Sequence, residues 1–197
     1  MTEIIAIFIS CLALIISAIT AWLTLLQKGT VRMTQPTVIY FGPDGSIGAP
    51  SKIFLRTLLY CTAKRGRIIE NMYVKIKRGE SVQNFNIWVY GDNLLARGSG
   101  LFVGENGITC NHHFLLPKDG TQFEFFSGEY TVEVYATLVG QRKSLLMSKI
   151  ELFLNEIHSL SMGKKKIGVY FDWGPDSGKY YSHVDERDEF PPSIQDL

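Results

Sequence analysis

A chain of 197 residues, 46% apolar and 12% aromatic, is too apolar for disorder and, beyond its apolar N-terminus, too short for two well-cored domains. The formal net charge is only +1, but it is unevenly spread. Residues 28–166 carry 18 basic and 11 acidic side chains and residues 167–197 carry two and seven, so a basic domain precedes an acidic tail that either shields basic surface or is solvated.

Residues 4–26 contain no charged side chain. At about 1.5 Å per residue they measure roughly 35 Å, enough to cross a hydrocarbon core of about 30 Å. This predicts a transmembrane helix. A cleaved signal peptide would begin with a basic segment, and Met1-Thr2-Glu3 is acidic. Lys28 and Arg32 follow the span, with Lys52 and Arg56 further on, and no Lys or Arg precedes it. The positive-inside rule then places the N-terminus outside and the rest of the chain in the cytoplasm, anchored in the inner membrane if the host is bacterial. Cysteine usage agrees: Cys11 lies in the span, and Cys61 and Cys110 stand alone, without the spacing of a secreted disulfide framework.

Within the span Ala6, Ser10, Ala13, Ser17, Thr20 and Thr24 recur at alternating spacings of four and three. That is the repeat of a seam in a left-handed helix bundle. Lipid gives no reason to gather small and hydroxyl residues on one line, whereas helix contact does. With one span per chain, the partner is expected to be another copy. The stripe is then either a packing seam or, in a ring of four or more helices, the lining of a polar path with a hydrophobic constriction. The span holds no Asp, Glu, His, Lys or Arg, which disfavours proton relays and charge-ring filters.

Residues 27–36 read as a juxtamembrane linker. Strand-like runs come next, at 37–41, 52–60, 68–78, 83–90, 101–103, 108–115, 122–126, 130–138 and 145–154, separated by turn residues such as Lys64-Arg65-Gly66 and Lys118-Asp119-Gly120. In the third run Met72, Val74 and Ile76 alternate with Tyr73, Lys75 and Lys77, an apolar face against a polar one. The run 145–154 fits either a strand or a helix. The expected fold is mainly β: one transmembrane α-helix followed by an antiparallel β-sandwich, immunoglobulin-like or jelly-roll, over residues 37–172. Residues 173–197 complete the chain as an acidic C-terminal tail, its end flexible.

Motifs for chemistry are sparse. Cys110-Asn111-His112-His113 has metal-ligating types, but neighbours on a strand point to opposite faces, so no metal site is expected. Ala96-Arg97-Gly98-Ser99-Gly100 lacks the Gly-Lys-Ser/Thr ending of a phosphate loop and reads as a hairpin turn. The carboxylates of Asp172 and Asp176 flank a Trp-Gly-Pro turn, and no Ser or Cys sits in a nucleophile motif. No catalytic residues, cofactors or enzyme activity are expected.

Basic residues carry more information. Lys64, Arg65 and Arg67 fall in one turn, Lys75, Lys77 and Arg78 on the following strand, and Lys164-Lys165-Lys166 in a later loop. With Tyr73, Trp88 and Tyr90 on the same sheet face, they would suit a nucleotide or single-stranded oligonucleotide, by phosphate neutralisation and stacking. The alternative is a basic surface for anionic lipid.

A membrane span with its stripe (Ala6, Ser10, Ala13, Ser17, Thr20, Thr24) followed by a β domain with a basic strand pair resembles, in layout, the membrane effectors of bacterial antiphage systems. It is similar to the channel-forming effector of the Hailong system. The resemblance implies a homo-oligomeric ligand-gated pore controlled by a nucleotide or oligonucleotide signal from a companion nucleotidyltransferase, and it assigns no residue a role. The other reading is a tethered adaptor whose sandwich binds a protein partner.

Overall fold

A computed structural model describes residues 1–44, 49–92, 95–165 and 167–184. The chain starts with an α-helix, α1 (Thr2–Ala21), whose last turn widens into a π-helical turn, Trp22–Leu26, closed by the Gln27 N–H on the Trp22 carbonyl at 2.9 Å. This 25-residue run is long and apolar enough to cross a membrane. None of its residues is buried within the chain.

Beyond the helix the chain folds into an antiparallel β-sandwich of two sheets. The strands are β1 (Val31–Met33), β2 (Val38–Pro43), β3 (Ser51–Cys61), β4 (Arg67–Arg78), β5 (Ser81–Phe85), β6 (Ile87–Tyr90), β7 (Ala96–Arg97), β8 (Leu101–Val103), β9 (Ile108–Leu115), β10 (Gly128–Leu138), β11 (Leu145–Leu154), β12 (Val169–Gly174) and β13 (Lys179–Val184), with helix α2 (Glu156–Lys165) before β12. One sheet has the order β13-β12-β2-β3-β9-β6-β7, with β1 on β3; the other has β11-β10-β4-β5, with β8 on β4.

The alternation read in β4 holds. Met72, Val74 and Ile76 are buried, and Tyr73, Lys75 and Lys77 lie on the outer face. Facing them across the sandwich are Ile39 and Phe41 of β2, Ile53, Leu55 and Leu59 of β3, and Phe114 of β9, all fully buried. Each such side chain contributes about 1.5–3 kcal/mol by leaving water. The ambiguous run 145–154 is strand β11, its Ile150, Leu152 and Leu154 completing this core opposite β10.

The structure corrects several expected boundaries. The linker is not free chain: β1 pairs with the end of β3, Val31 opposite Cys61, and lies on the same edge as β2. Pro36 has no N–H for the ladder, so the chain steps out between β1 and β2. There the Thr34 hydroxyl replaces a backbone partner, accepting from the Leu58 N–H at 3.1 Å. The run 83–90 is two strands in different sheets, β5 and β6. The chain crosses the sandwich at Asn86, so Phe85 and Trp88 enter the core from opposite layers. Residues 122–126 alternate like a strand yet pair with none. Phe123 and Phe125 turn inward as a plug, Phe125 stacked on Phe41 at 4.7 Å, because burial on alternate sides needs only an extended chain.

Two further differences concern the C-terminal part. Helix α2 was not expected, since its sequence EIHSLSMGKK has only a weak apolar stripe. It is held by Asn155, whose Oδ1 caps the His158 N–H at 2.7 Å. It also takes Lys164 and Lys165 out of the expected loop, while Lys166 lies outside the described residues. The sheet runs past residue 172: Asp172–Gly174 are the end of β12 and not part of a turn, the turn falls at 175–178, and β13 follows it and pairs with β12, Val169 opposite Val184. Of the expected tail only residues 185–197 remain, and they lie outside the described residues.

Candidate functional site

The six stripe residues lie on one line of the helical run. At about 100° per residue they fall within an arc of about 80°. Three of the four hydroxyls are satisfied inside their own helix: Ser10 Oγ donates to the Ala6 carbonyl (2.8 Å), Thr20 Oγ1 to Ile16 (2.8 Å) and Thr24 Oγ1 to Thr20 (2.7 Å). A hydroxyl bonded in this way is cheap to hold in lipid and still offers its oxygen lone pairs outward. Ser17 makes no hydrogen bond to a described residue. The rest of the circumference is large and apolar, with Ile5, Phe8, Leu12, Ile15, Ile19 and Leu23 each about half exposed or more. A surface of this kind on a folded chain calls for lipid or another apolar partner to cover it.

The expected ligand face divides into three places. Lys64, Arg65 and Arg67 stand at the start of β4, whereas Lys75, Lys77 and Arg78 stand at its far end. At about 3.3 Å per residue the eight residues from Arg67 to Lys75 separate the nearest members of the two groups by some 26 Å. Trp88 belongs to neither. It is 3% exposed, in the core, on the opposite sheet from Tyr73. Its apolar neighbours in sequence were the signal: Ile87-Trp88-Val89 marks a strand buried on both sides rather than one presenting an exposed ring.

Trp88 instead heads a buried chain of polar contacts. Its indole N–H donates to His112 Nδ1 at 3.2 Å, so His112 carries its proton on Nε2, which faces Cys110 Sγ at 3.3 Å. Burial drives the His112 pKa down to about 4. Burial also raises the Cys110 thiol to about 11, with Asp92 adding to the rise and Arg56 opposing it. A neutral thiol beside a neutral imidazole is not an activated nucleophile, so this pair is part of the core. His113 points to the other face of β9, against Phe54, and burial, Lys52 and His112 together lower its pKa to about 3. Among the described residues no group of three or more His, Cys, Asp and Glu could hold a metal ion.

The cations at the far end of β4 are engaged by their own sheet. Lys77 Nζ pairs with Glu133 Oε1 at 2.7 Å, and this contact holds the Glu133 carboxylate below its ordinary pKa. Tyr135 donates to the other carboxylate oxygen at 3.0 Å and stacks on Tyr73, centroids 4.9 Å apart and rings 8° from parallel. Lys75 lies 5.4 Å from the Tyr135 ring centre. Arg78 donates to the Ser127 carbonyl at 3.2 Å and lies over Phe126. A stacked tyrosine pair beside an ammonium, Lys75, that is in no salt bridge among the described residues is what remains of the expected ligand face. Tyr135 went unnoticed in the sequence because its partnership with Tyr73 depends on the β4–β10 register.

The same end of the sandwich holds a groove of about 780 Å³ between the β2–β3 connection, the Phe123–Phe126 plug and α2. Its walls include Pro43, Leu116, Phe123, Phe126, Leu160 and Met162. Compared with protein-family models, curated proteins and solved structures, the chain matches none.

Proposed function

We propose that this chain is an oligomeric single-pass membrane effector. Copies associate through Ala6, Ser10, Ala13, Ser17, Thr20 and Thr24, and four or more helices enclose a ligand-gated pore. The sandwich, in the cytoplasm, assembles the ring and senses a nucleotide or oligonucleotide signal. The observation that carries this reading is the collection of all these small and hydroxyl residues within one narrow arc of a helical run that is uncharged over residues 4–26 and is not buried by any described residue of its own chain.

The back-bonded hydroxyls refine the pore. With their protons turned into the helix, Ser10, Thr20 and Thr24 would line it with oxygen acceptors, which favour cations over anions. Gating requires that the signal bind one arrangement of the sandwiches more tightly than another. Tyr73, Tyr135 and Lys75 are the side chains best placed for that contact, since a phosphate at Lys77 has to compete with Glu133.

The test is ion flux through proteoliposomes containing the full chain, with short single-stranded DNA oligonucleotides as the added signal. Ser17→Leu and Thr20→Leu should abolish a cation-selective flux while the sandwiches, which also hold the ring, still crosslink as an oligomer. Flux that is unchanged by both, or that never occurs, overturns the pore. A second reading, the tethered adaptor, draws on the apolar groove between the plug and α2, which would receive an apolar peptide of a partner protein. In that case the helix substitutions leave partner binding intact.

A further inference from the structure

The chain leaves the helix and joins one end of the sandwich almost at once. Gly29 presses on the β3–β4 turn so closely that a Cβ there would sit 2.6 Å from the Ala63 nitrogen. Thr30 then exchanges two hydrogen bonds with Thr62, donating its N–H to the hydroxyl (2.9 Å) and accepting from the Thr62 N–H (3.1 Å). Only Gln27 and Lys28 separate this junction from Leu26. At no more than about 3.6 Å per residue, Gly29, against which Ala63 of the turn packs, lies within about 11 Å of the end of the helix. The polar headgroup layer is itself about 5–8 Å deep.

Two more connections share this end of the sandwich. The β8–β9 turn is joined to it by the Cys61 N–H on the Gly104 carbonyl (2.9 Å), and the β10–β11 turn by the Val139 N–H on the Ile68 carbonyl (3.0 Å). Together they expose Lys64, Arg65, Arg142 and Lys143, with Arg67 partly exposed at the start of β4 and Glu105 the one carboxylate in the three turns. None of these five cations is in a salt bridge among the described residues. Beside them Phe102, Ile68 and Val139 are 60%, 45% and 52% exposed and adjoin one another across β8, β4 and the end of β10. Gly66, at φ +67°, leaves the space that the Phe102 ring occupies.

Unpaired cations around an exposed apolar row, tethered within reach of the headgroups, fit one surface. We propose that this rim docks on the anionic headgroups of the membrane that the helix enters, the cations meeting phosphates while Phe102, Ile68 and Val139 reach the acyl boundary. The docking rests on the helix entering a bilayer and not on any pore. It fixes the height and tilt of the sandwich above the lipid, and it assigns Lys64, Arg65 and Arg67 to lipid rather than to a soluble signal.

Hydrogen exchange of the full chain in vesicles tests this. In vesicles with about 30% phosphatidylglycerol, amides of 62–66 and 139–144 should exchange more slowly than in pure phosphatidylcholine, and about 0.5 M salt should remove the difference. Arg142→Gln and Lys143→Gln, in a fully exposed turn, should each cut the protection about fivefold, and Phe102→Ser should also lower it. Equal exchange in both lipids overturns the proposal. So does protection that tracks added single-stranded DNA instead of lipid charge. Pore formation is read separately by flux, so the failure of either idea is distinguishable from the failure of the other.

Discussion

The helix and the sandwich meet the demands of folding with opposite means. Residues 2–26 satisfy their backbone and three hydroxyls internally and bury nothing, whereas the sandwich buries Ile39, Phe41, Ile53, Phe85, Phe114 and Phe171 almost completely between its sheets. The sandwich therefore specifies its own shape from within. The helix specifies only that it is a helix, and its position is decided by what lies outside the chain. Substitutions in the two regions should accordingly be read out by different measurements, and the contrast fails if they are not.

The largest effect is expected in the core. Phe41 stacks on Phe125 at 4.7 Å and meets Tyr130 and Phe171 edge-on at 5.6 and 5.1 Å, so it joins the plug to both sheets. Phe41→Ala should cost about 3–5 kcal/mol in denaturant unfolding of the sandwich while leaving membrane insertion of the helix unchanged. A loss below about 1 kcal/mol, or a loss of insertion, would mean that the two regions are not independent.

Acid should act next, and again only on the sandwich. His112 and His113 have folded pKa values near 4 and 3, both depressed by burial from 6.5. The unfolded chain therefore binds more protons than the folded one below pH 6.5. The stability these residues confer is complete above that pH and is lost as pH falls towards 4 for His112 and towards 3 for His113. Between pH 7 and 5 the loss should be on the order of 3 kcal/mol, seen as a falling unfolding midpoint. Since the buried His113 Nδ1 has no partner among the described residues, His113→Phe should remove about half of this slope without a matching loss at neutral pH. A stability curve flat over that range would show that both imidazoles are protonated in place.

How far the sequence could be read depends on the same division. The helix and the β4 alternation were legible because a charge-free run and a period of two are local properties. The passage of the chain between sheets at Asn86, the unpaired Phe123–Phe125 plug and the joining of β1 to β3 were not, because each depends on which strands lie next to one another. Trp88 was misplaced for that reason: an aromatic residue beside basic strands can belong to the other sheet. Of the rim, the basic turn Lys64, Arg65 and Arg67 and its lipid alternative were legible, but Arg142 and Lys143 were not joined to it because Lys64 and Lys143 are 79 residues apart in sequence. They share one end only because β4 and β10 are antiparallel neighbours. What the side chains of a lone helix touch was never in a single chain to be read.

The smallest expected effect on the fold is also the most discriminating for the helix. Ser10, Thr20 and Thr24 already donate their protons to carbonyls one turn back, so a facing helix gains little from them as donors. Ser17 alone of the four has a proton to offer. Ser17→Ala should weaken helix association in detergent or bilayer by about 0.6–1 kcal/mol, Ser10→Ala by almost nothing, and neither should move the unfolding midpoint of the sandwich. Ala13→Leu places bulk where backbones must approach and should weaken association more than either. Sedimentation of the full chain across a range of detergent concentrations measures all three. If Ala13→Leu associates as well as the parent, the stripe is not where helices meet. If Ser10→Ala and Ser17→Ala lose equally, the hydroxyls turn outward when copies assemble, and the line of acceptors inferred for the pore becomes a line of donors as well.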